Sequence, residues 1–286
     1  MKRVLITGAD GFLGINLQKR LESSELNVTT AGNSRQRNLC DKAVISLLPK
    51  ADVIVHLASK SFIPDSFKYP DIYYNNNFLS TLYLLEKARQ ENSRFVFAST
   101  YVYGSPQYLP IDESHPRQPL NPYTQSKVLC EDLCIAYNRD FKVPVTIFRP
   151  FNVYGPGQSD SFFIPTILRQ LKEVTIQLQD PRPKRDFIFV DDVIDAFEKA
   201  INNENNSGVV YNLGSGISYS VSETVHLLKE LSDSFAEINF SGIQRQGEVL
   251  ETIAGIDRAR KELGWSPQTL FIDGLRKTVV AYKEKK

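Results

Sequence analysis

The amino-acid sequence of 286 residues predicts an α/β protein built on a doubly wound parallel sheet. Through residues 1–150, short apolar segments typical of strands alternate with longer segments whose apolar residues recur every three or four positions, as in helices. This alternation is the pattern that produces a parallel sheet with helices on both faces. The first strand-like segment also runs directly into a turn with regularly spaced glycines, which is typical of the first crossover in such sheets.

Candidate strands and helices follow from this alternation. We expect strands at Arg3 to Thr7, Val28 to Ala31, Asp52 to Leu57, Arg94 to Ala98 and Val145 to Arg149. We expect helices at Leu13 to Leu21, Ile72 to Arg89 and Tyr123 to Asn138. After Phe151 the chain is richer in Pro, Gly and Asn, although Phe187 to Val190 and Val209 to Tyr211 still have the composition of short strands. The sequence therefore predicts one domain over 1–150, to which strands near 187–213 return, and a smaller domain over 151–286.

Composition and charge exclude several classes of protein. A hydrophobic content of 42% and a charged content of 23% are those of a folded globular chain. The 34 basic and 33 acidic residues leave a formal net charge of +1, so we expect neither a nucleic-acid nor a membrane partner. Three cysteines are too few for a disulfide framework, and no apolar run suits a signal peptide or a membrane span. We therefore expect a cytoplasmic protein that recognises a small ligand and holds no metal.

The turn after the first strand has glycines at Gly8, Gly11 and Gly14, three residues apart. In a strand-to-helix turn, the first glycine permits the tight turn, the second lets the backbone approach a pyrophosphate, and the third allows close packing of helix against strand. The start of the helix, at Phe12 and Leu13, then faces the negative charge. The segment predicts a Rossmann-type dinucleotide site formed by these five residues, and the alternative is a tight turn without a ligand.

The end of the second strand indicates which dinucleotide binds. A site selective for NAD usually has an Asp or Glu there, and this sequence has no carboxylate between Glu25 and Asp41. Ser34 and Arg35 are suited instead to the 2′-phosphate of NADP, since a guanidinium binds phosphate with two parallel hydrogen bonds. The sequence therefore favours NADP, with NAD possible, and the alternative interpretation is an exposed basic loop.

A second motif starts the helix at Tyr123. Asn121 has the position of an N-cap and Pro122 that of the first helical residue, so Tyr123 and Lys127 lie four residues apart on one face. A phenol with a pKa of about 10 is a poor base near neutrality, but a nearby ammonium lowers that pKa. We expect Lys127 to lower the pKa of Tyr123, so that the phenol can exchange a proton with a hydroxyl of the substrate. The alternative is a solvated surface pair.

Further motifs give the sequence its resemblance to a known family. A buried strand ends at two hydroxyls, Ser99 and Thr100, at the sheet edge where open α/β folds bind ligands. With the glycine turn and the Tyr123/Lys127 pair, the sequence resembles the extended short-chain dehydrogenase/reductase family, in particular its nucleotide-sugar epimerase/dehydratase branch. The resemblance extends over essentially the whole chain, through motifs at His56 to Ala58, Asn77 to Thr81, Arg149 to Gly157, Arg185 to Val193, Tyr211 to Gly216 and Leu263 to Trp265.

The resemblance implies roles for the residues at the sheet edge. Ser99 or Thr100 is the hydroxyl that bonds the reacting sugar oxygen. Counting from the strand favours Thr100, whereas counting back from the Tyr103 and Gly104 motif favours Ser99. Tyr123 is the implied acid/base, and Lys127 is the implied ligand of the cofactor ribose.

The resemblance also implies contacts with the cofactor, the substrate and a second subunit. Leu57 and Ala58 lie at the cofactor. The residues implied to hold the diphosphate of a nucleotide sugar are Asn152, Arg185 and Arg245. At the third of these positions the sequence departs from the family, whose members more often have a proline directly after the arginine. The implied homodimer forms through the helices near 72–89 and 123–138.

The residues after the strand-end hydroxyls separate the reactions of this branch. Dehydratases have acids there, which help to expel water, whereas Tyr101 and Val102 follow Thr100 in this sequence. Elimination is therefore disfavoured. We favour an NADPH-dependent 4-keto-sugar reductase acting at C4 of a nucleotide-diphosphate hexose. The alternatives are a 4-epimerase that retains NAD and, less favoured, a protein that senses dinucleotides without catalysis.

Overall fold

The structure, a computed structural model, describes residues 1–31, 38–203, 208–245 and 247–284. In this part of the chain, the strands are β1 (Arg3–Thr7), β2 (Asn27–Ala31), β3 (Val53–His56), β4 (Arg94–Ala98), β5 (Val145–Pro150), β6 (Asn152–Tyr154), β7 (Thr175–Leu178), β8 (Lys184–Phe189), β9 (Val209–Leu213), β10 (Ser218–Ser220) and β11 (Glu237–Phe240). The helices are α1 (Phe12–Leu21), α2 (Lys42–Ser46), α3 (Ile63–Lys68), α4 (Pro70–Glu91), α5 (Pro122–Phe141), α6 (Phe163–Gln170), α7 (Val190–Asn202), α8 (Val221–Ser232), α9 (Asp257–Glu262) and α10 (Phe271–Glu284).

The central sheet, over the described residues, has six parallel strands in the order β2-β1-β3-β4-β5-β9. The chain runs from β1 outward to β2 and then crosses to β3 on the other side, as in a doubly wound sheet. The strands and helices predicted from the sequence agree with those observed to within three residues at each end. The predicted α/β fold class, with a Rossmann-type parallel sheet, is confirmed.

Alternating side chains of the central strands pack on opposite faces of the sheet. On one face, Val4 belongs to a buried cluster that includes Leu17 of α1. On the other face, Leu5 belongs to a second cluster that includes Leu84 of α4. Because both faces are covered, the inner strands β1, β3 and β4 are mostly apolar, which explains why the sequence shows continuous apolar runs there rather than alternation.

The chain after residue 150 extends the central sheet and also builds a second region. β9 pairs with β5 in the central sheet, as expected for the strands near 187–213. The same expectation is wrong for β8, which pairs with β6 and β10 in a separate three-stranded sheet. The rings of Phe187 and Phe271 stack there at 5.2 Å, and Phe189 packs on Tyr154 at 5.5 Å, so β8 buries its aromatic side chains against α10 and β6. The division into domains at residue 150 stays a prediction.

The carboxyl ends of the central strands meet at one edge, which we call the sheet edge. Thr7 is in register with His56, and His56 with Phe97, so the residues after β1, β3 and β4 lie side by side. Ligands of open α/β sheets bind at this edge. None of the helices in the described residues is both long and apolar enough to cross a membrane.

Candidate active site

The glycine turn after β1 forms a cradle that side chains would fill. Gly8 has a φ of +69°, and a Cβ added to it would lie 2.6 Å from the backbone nitrogen of Ala58. A Cβ on Gly14 would overlap the carbonyl oxygen of Gly8. Both positions therefore require glycine, which keeps the turn tight and leaves its outer surface as bare backbone.

The first turn of α1 leaves its backbone N–H groups available to an anion. Gly11 is the N-cap and offers no side-chain cap, and the first turn contains no acidic residue. Phe12 and Leu13 are the first residues of the helix, and both are half-buried. Uncapped N–H groups and the positive end of the helix dipole suit a pyrophosphate, so this turn fits the predicted dinucleotide.

His56 anchors the end of β3 beside the glycine turn. Its Nδ1 lies 2.8 Å from the Thr7 hydroxyl and its Nε2 lies 3.0 Å from the Thr81 hydroxyl. Burial, and to a smaller extent the charge of Lys127, lowers the pKa of His56 to about 3, so the ring is neutral near pH 7. These bonds hold the start of the segment in which Leu57 and Ala58 run alongside Gly8.

Ser34 and Arg35, predicted to bind the 2′-phosphate, lie in segment 32–37, outside the residues that the structure describes. The backbone leading to them is described: Gly8 donates its N–H to the Ala31 carbonyl at 3.2 Å, at the end of β2. The end of β2 therefore lies beside the glycine turn.

Tyr123 and Lys127 lie in the first turns of α5, and both are almost completely buried, with 9% and 3% exposure. The Asn121 side chain accepts from the Thr124 N–H at 2.9 Å and Pro122 follows it, so the N-terminus is capped as the sequence predicts. Lys127 donates from Nζ to the carbonyl of Ala98 at 2.8 Å, at the end of β4. The alternative of a solvated surface pair is excluded.

We expected the pKa of Tyr123 to be lowered, and for the chain without ligands this expectation is wrong. Burial raises the pKa of Tyr123 to about 12, and a hydrogen bond with Thr100 offsets only part of that shift. Lys127 is not among the groups that shift it, and its ammonium donates to the Ala98 carbonyl. Burial also lowers the pKa of Lys127 to about 8. Near neutral pH, the phenol is therefore protonated and the amine is still mostly charged.

The two hydroxyls at the end of β4 have different partners. Ser99 is buried and donates from Oγ to Oε1 of Glu131 at 2.5 Å. Thr100 is half-exposed and forms the hydrogen bond with Tyr123. The hydroxyl of Thr100, rather than that of Ser99, therefore contacts the Tyr123 phenol.

A buried ion pair behind these hydroxyls was missed by the sequence reasoning. Glu131 is fully buried, and its carboxylate accepts from Arg149 Nε at 2.9 Å and from Nη2 at 2.6 Å. Two signals were available: Glu131 comes one helical turn after Lys127, and Arg149 is the one charged residue in the otherwise apolar segment of β5.

Tyr101 and Val102 occupy the positions that carry acids in dehydratases. Val102 is fully buried, and Tyr101 donates its hydroxyl to the carbonyl of Gly104. Burial raises the pKa of Tyr101 to about 12. Neither residue supplies a base near neutral pH, which agrees with the sequence-based argument against elimination.

A cavity of about 470 Å³, which we call the α6–β7 cavity, brings together the three residues predicted to hold a diphosphate. Asn152, Arg185 and Arg245 all line it, although they lie almost a hundred residues apart in the sequence. Phe163 of α6 and Tyr219 of β10 add aromatic walls. Cationic and aromatic side chains around one cavity suit a ligand with phosphate groups and a ring.

Both arginines of this cavity have partners within the chain. Arg185 forms an ion pair with Glu248 and donates to the carbonyls of Lys184 at 2.9 Å and Val249 at 2.6 Å. Arg245 donates from Nε to the side-chain oxygen of Gln179 at 2.8 Å. Arg185 is therefore already engaged in an ion pair within the chain, and its partner Glu248 was not foreseen from the sequence.

Known proteins share both the sequence and the fold of this chain. Residues 4–214 match the family model described as the NAD dependent epimerase/dehydratase family. The chain is 31% identical over 290 residues to GDP-6-deoxy-D-mannose reductase of Pseudomonas aeruginosa, covering 96% of this chain and 95% of that protein. The solved structure of RMD from Pseudomonas aeruginosa complexed with NADPH has a TM-score of 0.92 at 28% identity, covering 100% of both chains. UDP-glucose 4-epimerase of Thermotoga maritima, solved with UDP-glucose, has a TM-score of 0.92 at 25% identity, covering 99% of both.

Proposed function

Since the chain belongs to the NAD dependent epimerase/dehydratase family, we propose that it is an NADPH-dependent reductase of a 4-keto nucleotide sugar. The observation that carries this choice is the lack of a carboxylate between Glu25 and Asp41, because a site that retains NAD usually has one at the end of the second strand. The state of Tyr123 is compatible with it. Its phenol is buried, bonded to Thr100 and, with a pKa of about 12, protonated near neutral pH. A protonated phenol is ready to donate its proton, and reduction of a ketone requires a proton donor at the carbonyl oxygen.

The proposed chemistry assigns one proton transfer to Tyr123. When bound, the nicotinamide supplies the hydride. Thr100 and Tyr123 hydrogen-bond the C4 oxygen of the sugar, and Tyr123 gives it a proton, since an alkoxide is a stronger base than a phenolate. Lys127 would bind the cofactor ribose, from its position at the Ala98 carbonyl. Ser99 is excluded from contact with the sugar because its hydroxyl is bonded to Glu131.

We propose that the cofactor lies along the sheet edge. Gly8, Gly11, Phe12, Leu13 and Gly14 would hold its pyrophosphate, and Leu57 and Ala58 would line its path towards Lys127. The bare backbone of the turn and the uncapped start of α1 support this placement. Preference for NADP rests on Ser34 and Arg35 and on the missing carboxylate after β2, and the NADPH bound to the RMD structure agrees with it.

The nucleotide sugar is proposed to extend from the sheet edge into the α6–β7 cavity. Asn152, Arg185 and Arg245 would hold its diphosphate. Arg185 also lowers the pKa of Tyr101, although burial outweighs this effect, so the guanidinium lies close to the residue that follows Thr100. A diphosphate at Arg185 therefore leaves the attached sugar near Thr100 and Tyr123.

The second candidate is a 4-epimerase with retained NAD, which the resemblance to UDP-glucose 4-epimerase supports. An epimerase must first remove a proton from a C4 hydroxyl, so it needs Tyr123 as a phenolate at the start of the cycle. In the chain by itself the phenol is protonated, so this first step would also need the positive charge of bound NAD to lower the pKa of Tyr123. Elimination is not proposed, because Tyr101 and Val102 stand where dehydratases have acids and neither supplies a base near neutral pH.

A panel of sugar nucleotides tests the proposed reaction. The purified chain is mixed with NADPH and 4-keto-6-deoxyhexoses carrying GDP, dTDP or UDP, while the nicotinamide absorbance is followed. We expect consumption of NADPH, in proportion to the sugar added, with at least one of them. Conversion of UDP-glucose to its C4 epimer without added cofactor, and no consumption of NADPH, would favour the epimerase instead.

The preference for NADP is tested at Arg35. We expect the wild type to bind NADPH more tightly than NADH, and Arg35→Ala to reduce the difference by about 1.5 to 3 kcal/mol, with NADH binding little changed. Fluorescence titration of both cofactors against both proteins measures this. Arg37, a second possible charge for the 2′-phosphate, is replaced in parallel by Arg37→Ala, and Lys50→Ala is the control for the loss of a cation elsewhere in the chain. Equal affinities in the wild type would contradict the assignment.

A homodimer through α4 and α5 is also proposed. Ile72 on α4, and Leu129, Ile135 and Phe141 on α5, are 37% to 53% exposed, which leaves apolar surface on both helices for a second copy. The cytoplasmic location stays a prediction, supported by the small number of cysteines.

A further inference from the structure

Glu131 connects the strand end that carries Thr100 to the helix that carries Tyr123. Its carboxylate accepts from Ser99, the residue directly before Thr100, at 2.5 Å. Glu131 itself lies on α5, one helical turn beyond Lys127 and two beyond Tyr123. The bond therefore ties the backbone around Thr100 to the same rigid helix that positions the phenol.

The guanidinium of Arg149 extends this connection to the other side of the strand end. Besides its two bonds to Glu131, Arg149 donates from Nη1 to the Tyr103 hydroxyl at 2.8 Å. The Tyr103 hydroxyl donates in turn to the side-chain oxygen of Asn212 at 2.6 Å, on β9. Residues on both sides of Thr100 are thus held by one buried chain of hydrogen bonds that crosses α5, β5 and β9.

The cost of burying these charges indicates a role in geometry. Glu131 is fully buried and Arg149 is 4% exposed, so both lose almost all their hydration. A buried ion pair often stabilises a fold no better than apolar residues of the same volume, because desolvation offsets the attraction. Its directional bonds, however, fix their partners within a narrow range of positions, and Ser99 and Tyr103 are the partners that flank Thr100.

We propose that Ser99, Glu131 and Arg149 are positioning residues, which hold the Thr100 hydroxyl against Tyr123 without touching substrate or cofactor. This inference rests on the proposed function, because it presumes that Thr100 and Tyr123 act on the sugar. Ser99→Ala removes one hydroxyl and leaves the Glu131–Arg149 pair intact, so it is the mildest way to release the strand end.

A double-variant cycle tests the proposal. We expect Ser99→Ala to lower kcat about tenfold, with KM and NADPH affinity within twofold of wild type, since small misplacement of a reacting group is costly. In the Thr100→Ala background, Ser99→Ala should cost nothing more, because the group that it positions is gone. The proposal would be overturned if the losses of kcat caused by Ser99→Ala and Thr100→Ala multiplied in the double variant. It would also be overturned if Ser99→Ala alone left kcat unchanged.

Arg117→Gln is the matched control. Arg117 also contacts Glu131, at 3.4 Å, but it is partly exposed and is not part of the strand end. We expect its kcat to stay at the wild-type value. If Ser99→Ala fails to fold, Tyr103→Phe replaces it in the same cycle, with the same two outcomes, because it removes one hydroxyl on the other side of Thr100 and keeps the Glu131–Arg149 pair.

Hydrogen exchange provides a readout that does not depend on activity. We expect Ser99→Ala to speed exchange at the amides of residues 99–104 and to leave those of α5 unchanged, whereas Arg117→Gln changes neither. Unchanged exchange at 99–104 would contradict the proposal. A Tyr123→Phe variant with wild-type turnover would instead remove the proposed function, so the two failures are distinguishable.

Discussion

The sheet edge and the α6–β7 cavity hold their charged groups in different ways. At the sheet edge, Lys127 is 3% exposed and bonds to the backbone carbonyl of Ala98. In the cavity, Arg185 is 24% exposed at its side chain and pairs with the carboxylate of Glu248, while Arg245 is exposed and bonds to a glutamine. The first region is fixed by the core of the protein, and the second by side chains at its surface.

This difference separates the energetics of the two regions. Groups at the sheet edge are in place before any ligand arrives, so binding there costs little reorganisation. A diphosphate in the cavity must replace the carboxylate of Glu248 at Arg185, and the net gain is the difference between the two interactions. Changes at the sheet edge should therefore affect turnover most, and changes in the cavity should affect affinity.

The largest effect is expected at Tyr123. Tyr123→Phe keeps the ring in its buried site but removes the proton donor, so kcat should fall by about 10² to 10⁴ while cofactor affinity and fold are retained. Tyr137→Phe, on the outer part of the same helix, is the control and should keep its turnover. Steady-state kinetics on a substrate identified by the panel decides the matter, and near-wild-type turnover of the Tyr123 variant would refute the role.

Acid should weaken the sheet edge through His56. Its folded pKa of about 3 lies below the usual 6.5, so the unfolded chain binds a proton that the folded chain does not, and stability is lost as the pH falls from about 6.5 towards 3. Between about pH 7 and pH 4.5, this group should remove about 2 to 3 kcal/mol of the free energy of unfolding. Urea titrations at both pH values, on the wild type and His56→Gln, measure the difference. An equal acid loss in both proteins would show that His56 does not titrate in this way.

The smallest effects are expected in the α6–β7 cavity, where two substitutions should change nucleotide affinity in opposite directions. Arg185→Ala should weaken binding of UDP or GDP by about 1.5 to 3 kcal/mol, as expected for a lost charge-assisted hydrogen bond. Glu248→Gln should instead tighten it by up to about 1 kcal/mol, because the competing carboxylate is removed. Calorimetry on both variants measures both changes. An Arg185 variant that loses thermal stability but keeps its nucleotide affinity would identify a purely structural ion pair.

The contrast between the sheet edge and the α6–β7 cavity also explains which features could be predicted from the sequence. The strands, the glycine turn and the capped start of α5 depend on residues close in the chain, and their periods and spacings predict them well. The site residues at the sheet edge also follow from this local order, because parallel strands bring their carboxyl ends together. Their exact contacts do not, as Ser99 and Thr100 show. These adjacent residues follow β4 and have different partners, and only the packing of α5 against the strand end decides which of them meets Tyr123.

The rest depends on burial and on contacts between distant segments. The pKa of Tyr123 was expected in the wrong direction, because a spacing of four residues gives proximity but says nothing of desolvation. In the sequence, Glu131 resembles any other polar residue of a helix. Its ion pair forms only because the fold places Arg149 of β5 beside it. Glu248 and Arg185 lie more than sixty residues apart, and no local pattern joins them.

Transfer of isotope from cofactor to sugar tests the central claim, reduction at C4 with Tyr123 as the proton donor. NADPH carrying deuterium on either face of the nicotinamide C4 is mixed with the chain and a 4-keto sugar nucleotide of the panel, and the product is analysed by mass spectrometry and NMR. We predict one deuterium at C4 of the sugar from one of the two cofactors, one NADP⁺ formed for each product, and product formation at least about a hundredfold slower in Tyr123→Phe. A 4-keto sugar recovered without deuterium while the NADPH is unchanged, together with conversion of UDP-glucose to its C4 epimer in a parallel reaction, would contradict the claim.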